Sequence, residues 1–477
     1  MGVAYAVTVP ISEHELLSQY GSAVRAGNAS LFVGAGLSKS AGYPDWSGLV
    51  MDLRQRADIP DDLADLPLVA QYFIVSTPGG REALESHVLA EMTKRTYAPT
   101  AGHRALARLP VDDLWTTNYD CLLEEALPDA RVICNEDDLL VRHKPTRRRL
   151  TKMHGSLTQG PGIDWRASPT ITRQDYEEYE FKHPRIWAAL RASYLTKSFL
   201  FLGFSFMDPN IEVMLRLSRT LLNVGAPEHY TLIKRPDGDL NQLKLHEHRV
   251  KDLEQSGVAV CEISEYSEID SILARLVRRT REPALFVSGS VETNTDGERA
   301  AQSIGHRLSE HDVQVVSLGG KAGLAVSFAL GRSLLAQERY DPERVKFYFR
   351  RSKQEAPGLP QRIGTAVYTG QDQAAVRAAV LSESRAVLVL GGGDTTEAET
   401  TAAKNAGIPV IPLPLSGGTA RKLWSASAID DLLGMTNPTE SDRRDWQLLN
   451  HEDLEIATAA AVRLMSTAMY LDSSVRP

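Results

Sequence analysis

The sequence predicts an α/β protein made of two doubly wound, mostly parallel-sheet units of the Rossmann type, and three observations carry that expectation. Short apolar runs of strand length alternate with longer helical patterns along most of the 477 residues. Several of those runs end in glycine-rich turns that lead towards a helix, LFVGAGLSKS at 31–40 and LGGGDTTEAE at 390–399 being the clearest. A polar stretch, Arg278-Arg279-Thr280-Arg281-Glu282-Pro283, breaks the alternation, which then starts again. The expected units are therefore 1–282 and 283–477.

In the first unit, strands are expected at Leu31–Val33, Leu114–Thr116, Val132–Cys134, Lys152–His154, Ser198–Phe201, Tyr230–Ile233 and Val258–Glu262. Each run is too short for a helix and ends in a turn or polar residue. Gln174 to Thr196 reads as helix, interrupted near Pro184. In the second unit the strands are Ala284–Val287, Val313–Leu318, Val345–Phe349, Ala386–Leu390 and Pro409–Pro412. Helices fit Gly297–Ser309, Gly323–Gln337, Gln371–Ser384 and Glu397–Ala406, with Asp453–Tyr470 as a closing amphipathic helix. Open α/β sheets bind ligands at the carboxyl ends of their strands, so one site per unit is expected.

Composition narrows the class. Hydrophobic residues make up 43% and charged residues 24%, as in ordinary globular protein. A formal net charge of −8 gives no global footprint for nucleic acid, which is not expected as a partner. The local run His143-Lys144-Pro145-Thr146-Arg147-Arg148-Arg149 reads as solvated surface. Cys121, Cys134 and Cys261 are the three cysteines; without a CxxC pair they exclude a four-cysteine zinc site, and no metal is expected. Scattered thiols without a secretory signal fit a reducing, cytoplasmic setting. No apolar run approaches the roughly 20 residues of a membrane helix, and MGVAYA lacks the Ser or Thr that myristoylation needs.

Four segments of the first unit follow expected strands: Gly34-Ala35-Gly36, Thr116–Asp120, Lys152–Gly155 and Gly203–Asn210. Taken singly each has a plain structural meaning. Asn118 can cap a helix, His154 can be a satisfied core histidine, and Asp208 before Pro209 suits a turn. Their order and spacing together resemble the sirtuin-like NAD-binding family over roughly 15–275. Gly34-Ala35-Gly36 with Ser38 matches that family's phosphate loop. Thr117-Asn118-Tyr119-Asp120 resembles its Q-N-x-D segment, with Thr in place of Gln, and His154-Gly155 resembles its catalytic H-G pair. Gly203, Ser205 and Asp208 resemble its later G-x-S motif on the adenosine side.

The resemblance implies cleavage of the nicotinamide–ribose bond of NAD, with oxocarbenium character at the anomeric carbon. Asn118 then orders a water or a ribose hydroxyl, and Asp120 bonds the nicotinamide amide or the ribose. His154 serves as base for a ribose hydroxyl or for water. Backbone N–H groups of 34–36 and the helix behind them hold pyrophosphate. The protein-deacylating members carry a zinc module of paired cysteines, which this chain lacks. NAD is therefore expected as a substrate, hydrolysed by water. Tyr43-Pro44-Asp45-Trp46 resembles the G-x-P-x-W variant of bacterial defence-associated members.

In the second unit, turns at Ser288-Gly289-Ser290, Gly319-Gly320 and Gly391–Asp394 suggest a nucleotide or phosphate pocket. Over roughly 284–440 the set resembles the SLOG family, relatives of the lysine decarboxylase-like phosphoribohydrolases. The enzymes of that group carry P-G-G-x-G-T-x-x-E. Here Gly392, Gly393, Thr396 and Glu399 are kept, Gly391 replaces Pro and Thr395 replaces the third Gly. That departure favours a sensing pocket in which Glu399 holds ribose hydroxyls and Arg350 or Arg351 pairs phosphate.

A sirtuin-like unit followed by a SLOG unit resembles the NAD-depleting effectors of the Thoeris antiphage system. That resemblance implies an allosteric NADase activated by a cyclic ADP-ribose-type signal from a TIR-domain protein. It also implies a homo-oligomer, commonly a homotetramer. Two rivals stand beside it: a zinc-less NAD-dependent protein deacylase or ADP-ribosyltransferase, and a non-catalytic nucleotide-binding regulator.

Overall fold

The computed structural model describes residues 10–469 apart from 141–147, 161, 207, 222–227, 351–361, 371 and 434–437, so Arg351 lies outside the described residues. The chain divides into two compact units, 1–280 and 281–477.

In the first unit the strands are β1 Ala29–Val33, β2 Asp113–Thr116, β3 Arg131–Ile133, β4 Arg149–Lys152, β5 Ser156–Leu157, β6 Trp165–Ala167, β7 Ser198–Leu202, β8 His229–Lys234 and β9 Val258–Ile263. Seven of them form one sheet in the order β3-β4-β2-β1-β7-β8-β9, with every pair parallel. Every residue of β1 is buried, as a parallel strand covered on both faces requires. Phe32, Phe199 and Phe201 stack in the core beside Trp187 and Leu190. Strand order reverses at β1, with β2 on one side and β7 on the other. Val33 is in register with both Thr116 and Leu202, so the turns after all three strands emerge together at this switch point.

Several features of this unit depart from the sequence expectation, the antiparallel pair β5–β6 among them. β4 ends at Lys152, and His154 lies in the turn beyond it. Gly155, at φ 99°, turns the chain there, while the His154 carbonyl accepts the Thr170 N–H at 2.9 Å. Between β1 and β2 stand four unanticipated helices, Trp46–Arg56, Leu66–Ser76, Gly80–Thr93 and Ala101–Arg108. The first three enclose a core of their own around Leu53, Val69, Phe73, Leu84 and Val88. Asp45 and Asp65 start the first two by accepting the N–H groups of Gly48 and Leu68.

The second unit holds β10 Ala284–Ser290, β11 Gln314–Ser317, β12 Val345–Arg350, β13 Thr365–Thr369, β14 Ala386–Gly391 and β15 Val410–Leu413. They form a parallel sheet in the order β13-β12-β11-β10-β14-β15. β13 was not anticipated: it is a half-buried edge strand with little apolar pattern. The expected helices occur at Asp296–Leu308, Lys321–Ala336, Gln373–Glu383, Asp394–Asn405 and Leu454–Ala468. The fourth begins three residues earlier than expected, directly on the glycine turn.

One buried group ties the first sheet's stability to pH. His229 stacks on Tyr194 at 4.0 Å, and its Nδ1 accepts the Phe199 N–H at 3.2 Å. Burial pushes its pKa from 6.5 down to about 3. The unfolded chain takes up this proton near 6.5 and the folded chain does not. Stability from this group is therefore full above 6.5 and falls as pH drops towards 3, on the order of 1 kcal/mol per pH unit. Thermal unfolding between pH 7 and 4.5 is expected to show a shallower loss of Tm in His229→Gln than in wild type; equal slopes would remove His229 as a cause.

Candidate active site

The turns after β1 and β7 interlock. The Gly34 N–H donates to the Leu202 carbonyl at 2.9 Å and the Gly36 N–H to the Gly203 carbonyl at 2.8 Å. A Cβ on Gly36 would stand 2.8 Å from Gly203 Cα, and one on Gly203, at φ 61°, would stand 2.3 Å from the Leu37 nitrogen. Glycine is needed here because two backbones touch. The expected phosphate role of 34–36 rests on their N–H groups. Two of the three N–H groups are engaged within the protein, and the helix behind them, Ala35–Lys39, has five residues. The turn acts as a frame.

What the frame holds is Asn118. Thr116 Oγ1 donates to the Val33 carbonyl at 2.8 Å and accepts the Asn118 N–H at 3.0 Å. The Asn118 amide nitrogen donates to the Gly34 carbonyl at 3.2 Å and to Ser38 Oγ at 2.9 Å. Ser38 in turn donates to Asp120 Oδ2 at 2.8 Å, and Asp120 Oδ1 accepts the Leu122 N–H at 3.0 Å. With its amide hydrogens engaged, Asn118 retains Oδ1 as a buried acceptor without a hydrogen-bond partner among the described residues. Asn118 is 6% exposed and lines a cavity of about 50 Å³ together with Ala35, Ser38, Asp120 and His154. Asp120 was expected to bond substrate. Both of its oxygens already accept protein hydrogens, and it orients Ser38, which orients Asn118.

His154, 2% exposed, stands across this cavity with its Nε2 free of hydrogen bonds among the described residues and 3.5 Å from Asp208 Oδ2. Tyr176 and Tyr179 meet its ring edge-on at 5.2 and 5.7 Å. Burial lowers its pKa from the usual 6.5; the Asp208 charge opposes that shift and His183 adds to it. The imidazole is thus neutral at pH 7, as a base must be. Asp208, expected in a turn and on the adenosine side, makes two contacts here. Its Oδ1 caps the helix Pro209–Leu221 through the Asn210 and Ile211 N–H groups, and its Oδ2 faces His154. Ser205 is exposed and does not line the cavity.

The remaining wall is aromatic. Tyr43, Pro44 and Trp46 line the cavity, with Tyr43 stacked on Tyr97 at 3.7 Å. Between them Asp45 pairs with Lys39 at 2.6 Å. The Tyr43–Trp46 segment was visible in the sequence; Tyr97 and Tyr176 carry no local motif.

In the second unit the turns after β10, β11 and β14 also converge. A Cβ on Gly289 would stand 2.0 Å from the Leu390 carbonyl oxygen, and one on Gly320 2.8 Å from that of Gly289. Ser288 Oγ donates to Glu399 Oε2 at 2.5 Å. Burial raises the Glu399 pKa, opposed by the Ser288 bond and by the charge of Arg377. Gly392 donates to the Ser290 carbonyl, the Gly319 N–H to Ser317 Oγ, and Thr396 is buried against Gly392. Gly393 caps the helix that carries Glu399. Arg350 ends β12 exposed to solvent. The cation near Glu399 is Arg377, which sequence reasoning missed; its Nε is buried without a hydrogen-bond partner among the described residues. A shallow depression of about 500 Å³ along Glu397, Thr401 and Asn405 brings none of the expected residues together.

Among the described residues no group of three or more His, Cys, Asp or Glu is placed to hold a metal, and no helix is long and apolar enough to cross a membrane. The three cysteines are free thiols.

Comparison with known proteins adds relatives to this geometry. Residues 112–259 match a SIR2-like domain. The chain is 31% identical over 350 residues to the NAD(+) hydrolase ThsA of Enterococcus faecium, an alignment covering 68% of this chain and 71% of that one. It is 32% identical over 308 residues to ThsA of Bacillus cereus, covering 61% and 63%. Against ThsA of Acinetobacter baumannii the identity is 27% over 477 residues, covering 92% and 96%.

Proposed function

The chain belongs to the ThsA family of NAD(+) hydrolases, and on that premise we propose that its first unit hydrolyses the N-glycosidic bond of NAD as an effector of bacterial antiphage defence. The observation that carries the reading is that Asn118 and His154 line one cavity, with Asn118 Oδ1 and His154 Nε2 each buried and each without a hydrogen bond among the described residues.

The chemistry follows from those two atoms. Nicotinamide departs with the bonding electron pair, which neutralises its ring cation and leaves oxocarbenium character on the ribose. Asn118 Oδ1 accepts a hydrogen from the attacking water or a ribose hydroxyl and so fixes its position. His154, neutral before the reaction, takes the proton of the water that adds to the anomeric carbon. The Asp208 carboxylate, 3.5 Å from Nε2, stabilises the imidazolium until the proton reaches solvent. The products are nicotinamide, ADP-ribose and one proton. Tyr43 and Trp46 shield the reacting centre from bulk water. NAD is the substrate consumed, and no metal takes part in this reading.

The second unit, in the same reading, is a SLOG domain that senses a cyclic ADP-ribose-type nucleotide made by a TIR-domain protein. Its support is Glu399, buried on Ser288 with Arg377 nearby. The carboxylate suits ribose hydroxyls, and Arg377 or Arg350 suits phosphate. A signal that turns a 1:99 population into 99:1 needs about 5.5 kcal/mol of preference for the active arrangement. We place the protein in the cytoplasm as a homotetramer.

Pure protein incubated with NAD, with and without cyclic ADP-ribose isomers, tests the reading by chromatography. Equimolar nicotinamide and ADP-ribose, appearing when one isomer is present, are expected. Nicotinamide released only with an acyl-lysine peptide, with O-acyl-ADP-ribose as co-product, would make it a deacylase. Glu399→Ala is expected to raise the activating nucleotide concentration at least about tenfold, the loss of one charge-assisted hydrogen-bonding group. An unchanged activation curve would place the sensor elsewhere.

A further inference from the structure

We propose that Lys152 is a positioning residue for NAD cleavage, bracing the loop that carries Asn118 against the strand that delivers His154. The inference rests on the reading of this cavity as the NAD-cleaving site.

Lys152 is the last residue of β4 and is fully buried. Its ammonium donates to the Tyr119 carbonyl at 3.2 Å, to the Asp120 carbonyl at 2.5 Å and to Glu124 Oε1 at 2.6 Å. A buried ion pair is no requirement for stability, since apolar side chains of similar volume serve as well or better. An apolar pair cannot, however, grip two successive main-chain carbonyls. Those carbonyls follow Asn118 directly. The Tyr119 carbonyl also accepts the Leu157 N–H at 3.0 Å, so the chain on both sides of His154 is tied to the peptide beside Asn118. Thr116 and Lys152 are already partners across β2 and β4, which closes a short ring from sheet to loop and back. Asn118 is two residues from one tied position and His154 two residues from the other. A displacement of about 1 Å at a reacting group costs about 10²-fold in rate, so a brace of this kind has a catalytic effect without touching substrate.

The test separates positioning from folding. The double variant Lys152→Met/Glu124→Leu removes both buried charges together; it is expected to remain folded, with Tm lowered only by the main-chain carbonyl left without its donor. Its kcat is expected to fall about 10²-fold, with KM for NAD within about threefold. Glu124→Gln keeps the carbonyl contacts and is expected to hold kcat within about threefold even where Tm drops. A folded double variant with wild-type kcat would overturn the proposal, as would a kcat loss in Glu124→Gln equal to that of Lys152→Met. Wild type and Asn118→Ala run in the same assay, every sample with the panel of cyclic ADP-ribose isomers present. Absence of cleavage by wild type overturns the parent reading, whereas normal cleavage by wild type and by the double variant overturns only the role of Lys152.

Discussion

Asn118→Ala is expected to lower nicotinamide release by about 10²–10³-fold while the protein remains folded. The substitution removes Oδ1, the acceptor that fixes the attacking water or a ribose hydroxyl. It also leaves the Gly34 carbonyl and Ser38 Oγ without the amide that joins them. The Gly34 carbonyl keeps the Leu37 N–H and Ser38 Oγ keeps Asp120, so the two lost hydrogen bonds cost about 0.5–1.5 kcal/mol each, a measurable drop in Tm that falls short of unfolding a domain. The two effects are read separately, release by chromatography and stability by thermal unfolding. Release within threefold of wild type in a folded Asn118→Ala protein would remove Asn118 from the mechanism.

The second large effect is on His154. His154→Ala is expected to lose about 10²–10⁴-fold in kcat, the usual contribution of a general base. The pH profile carries the more specific expectation. Burial lowers the pKa of His154 from 6.5, and the neutral form is the active one. Activity therefore persists as pH falls through 6.5 and declines only at lower pH, where the imidazole takes up a proton. In His154→Gln this acid limb should disappear and leave a flat residual rate. An acid limb centred at or above pH 7 would contradict a buried, neutral base. The same burial means that protonating His154 opposes folding, so acid lowers stability and activity in the same direction.

Much of this arrangement was legible in the sequence because it depends on local rules. The parallel strands are short apolar runs that end in turn or polar residues, and the alternation restarts after a polar break. The segments around Asn118 and His154 lie at strand ends, where an open sheet places its ligands. What the sequence did not show was how the first glycine turn is tied within the protein itself. LFVGAG looks like a cradle of N–H groups, yet its partners are the carbonyls of Leu202 and Gly203, far along the chain. Asp120 looks like a substrate ligand for the same reason, and only the folded chain shows Ser38 and Leu122 engaging it. Tyr97, Tyr176, Lys152 and Arg377 were invisible because tertiary neighbours give them their roles. The helix Leu66–Ser76 escaped notice because LPLVAQYFIVS is apolar nearly throughout and shows no clean helical period.

The most direct measurement is a single-turnover experiment with the protein in excess over NAD and the activating nucleotide present, following nicotinamide by proton NMR. Wild type should convert every NAD molecule. The Asn118→Ala/His154→Ala double variant should bind NAD, by calorimetry on the same sample, and convert almost none. Conversion by the double variant at the wild-type rate would mean that this cavity is not where the glycosidic bond is broken.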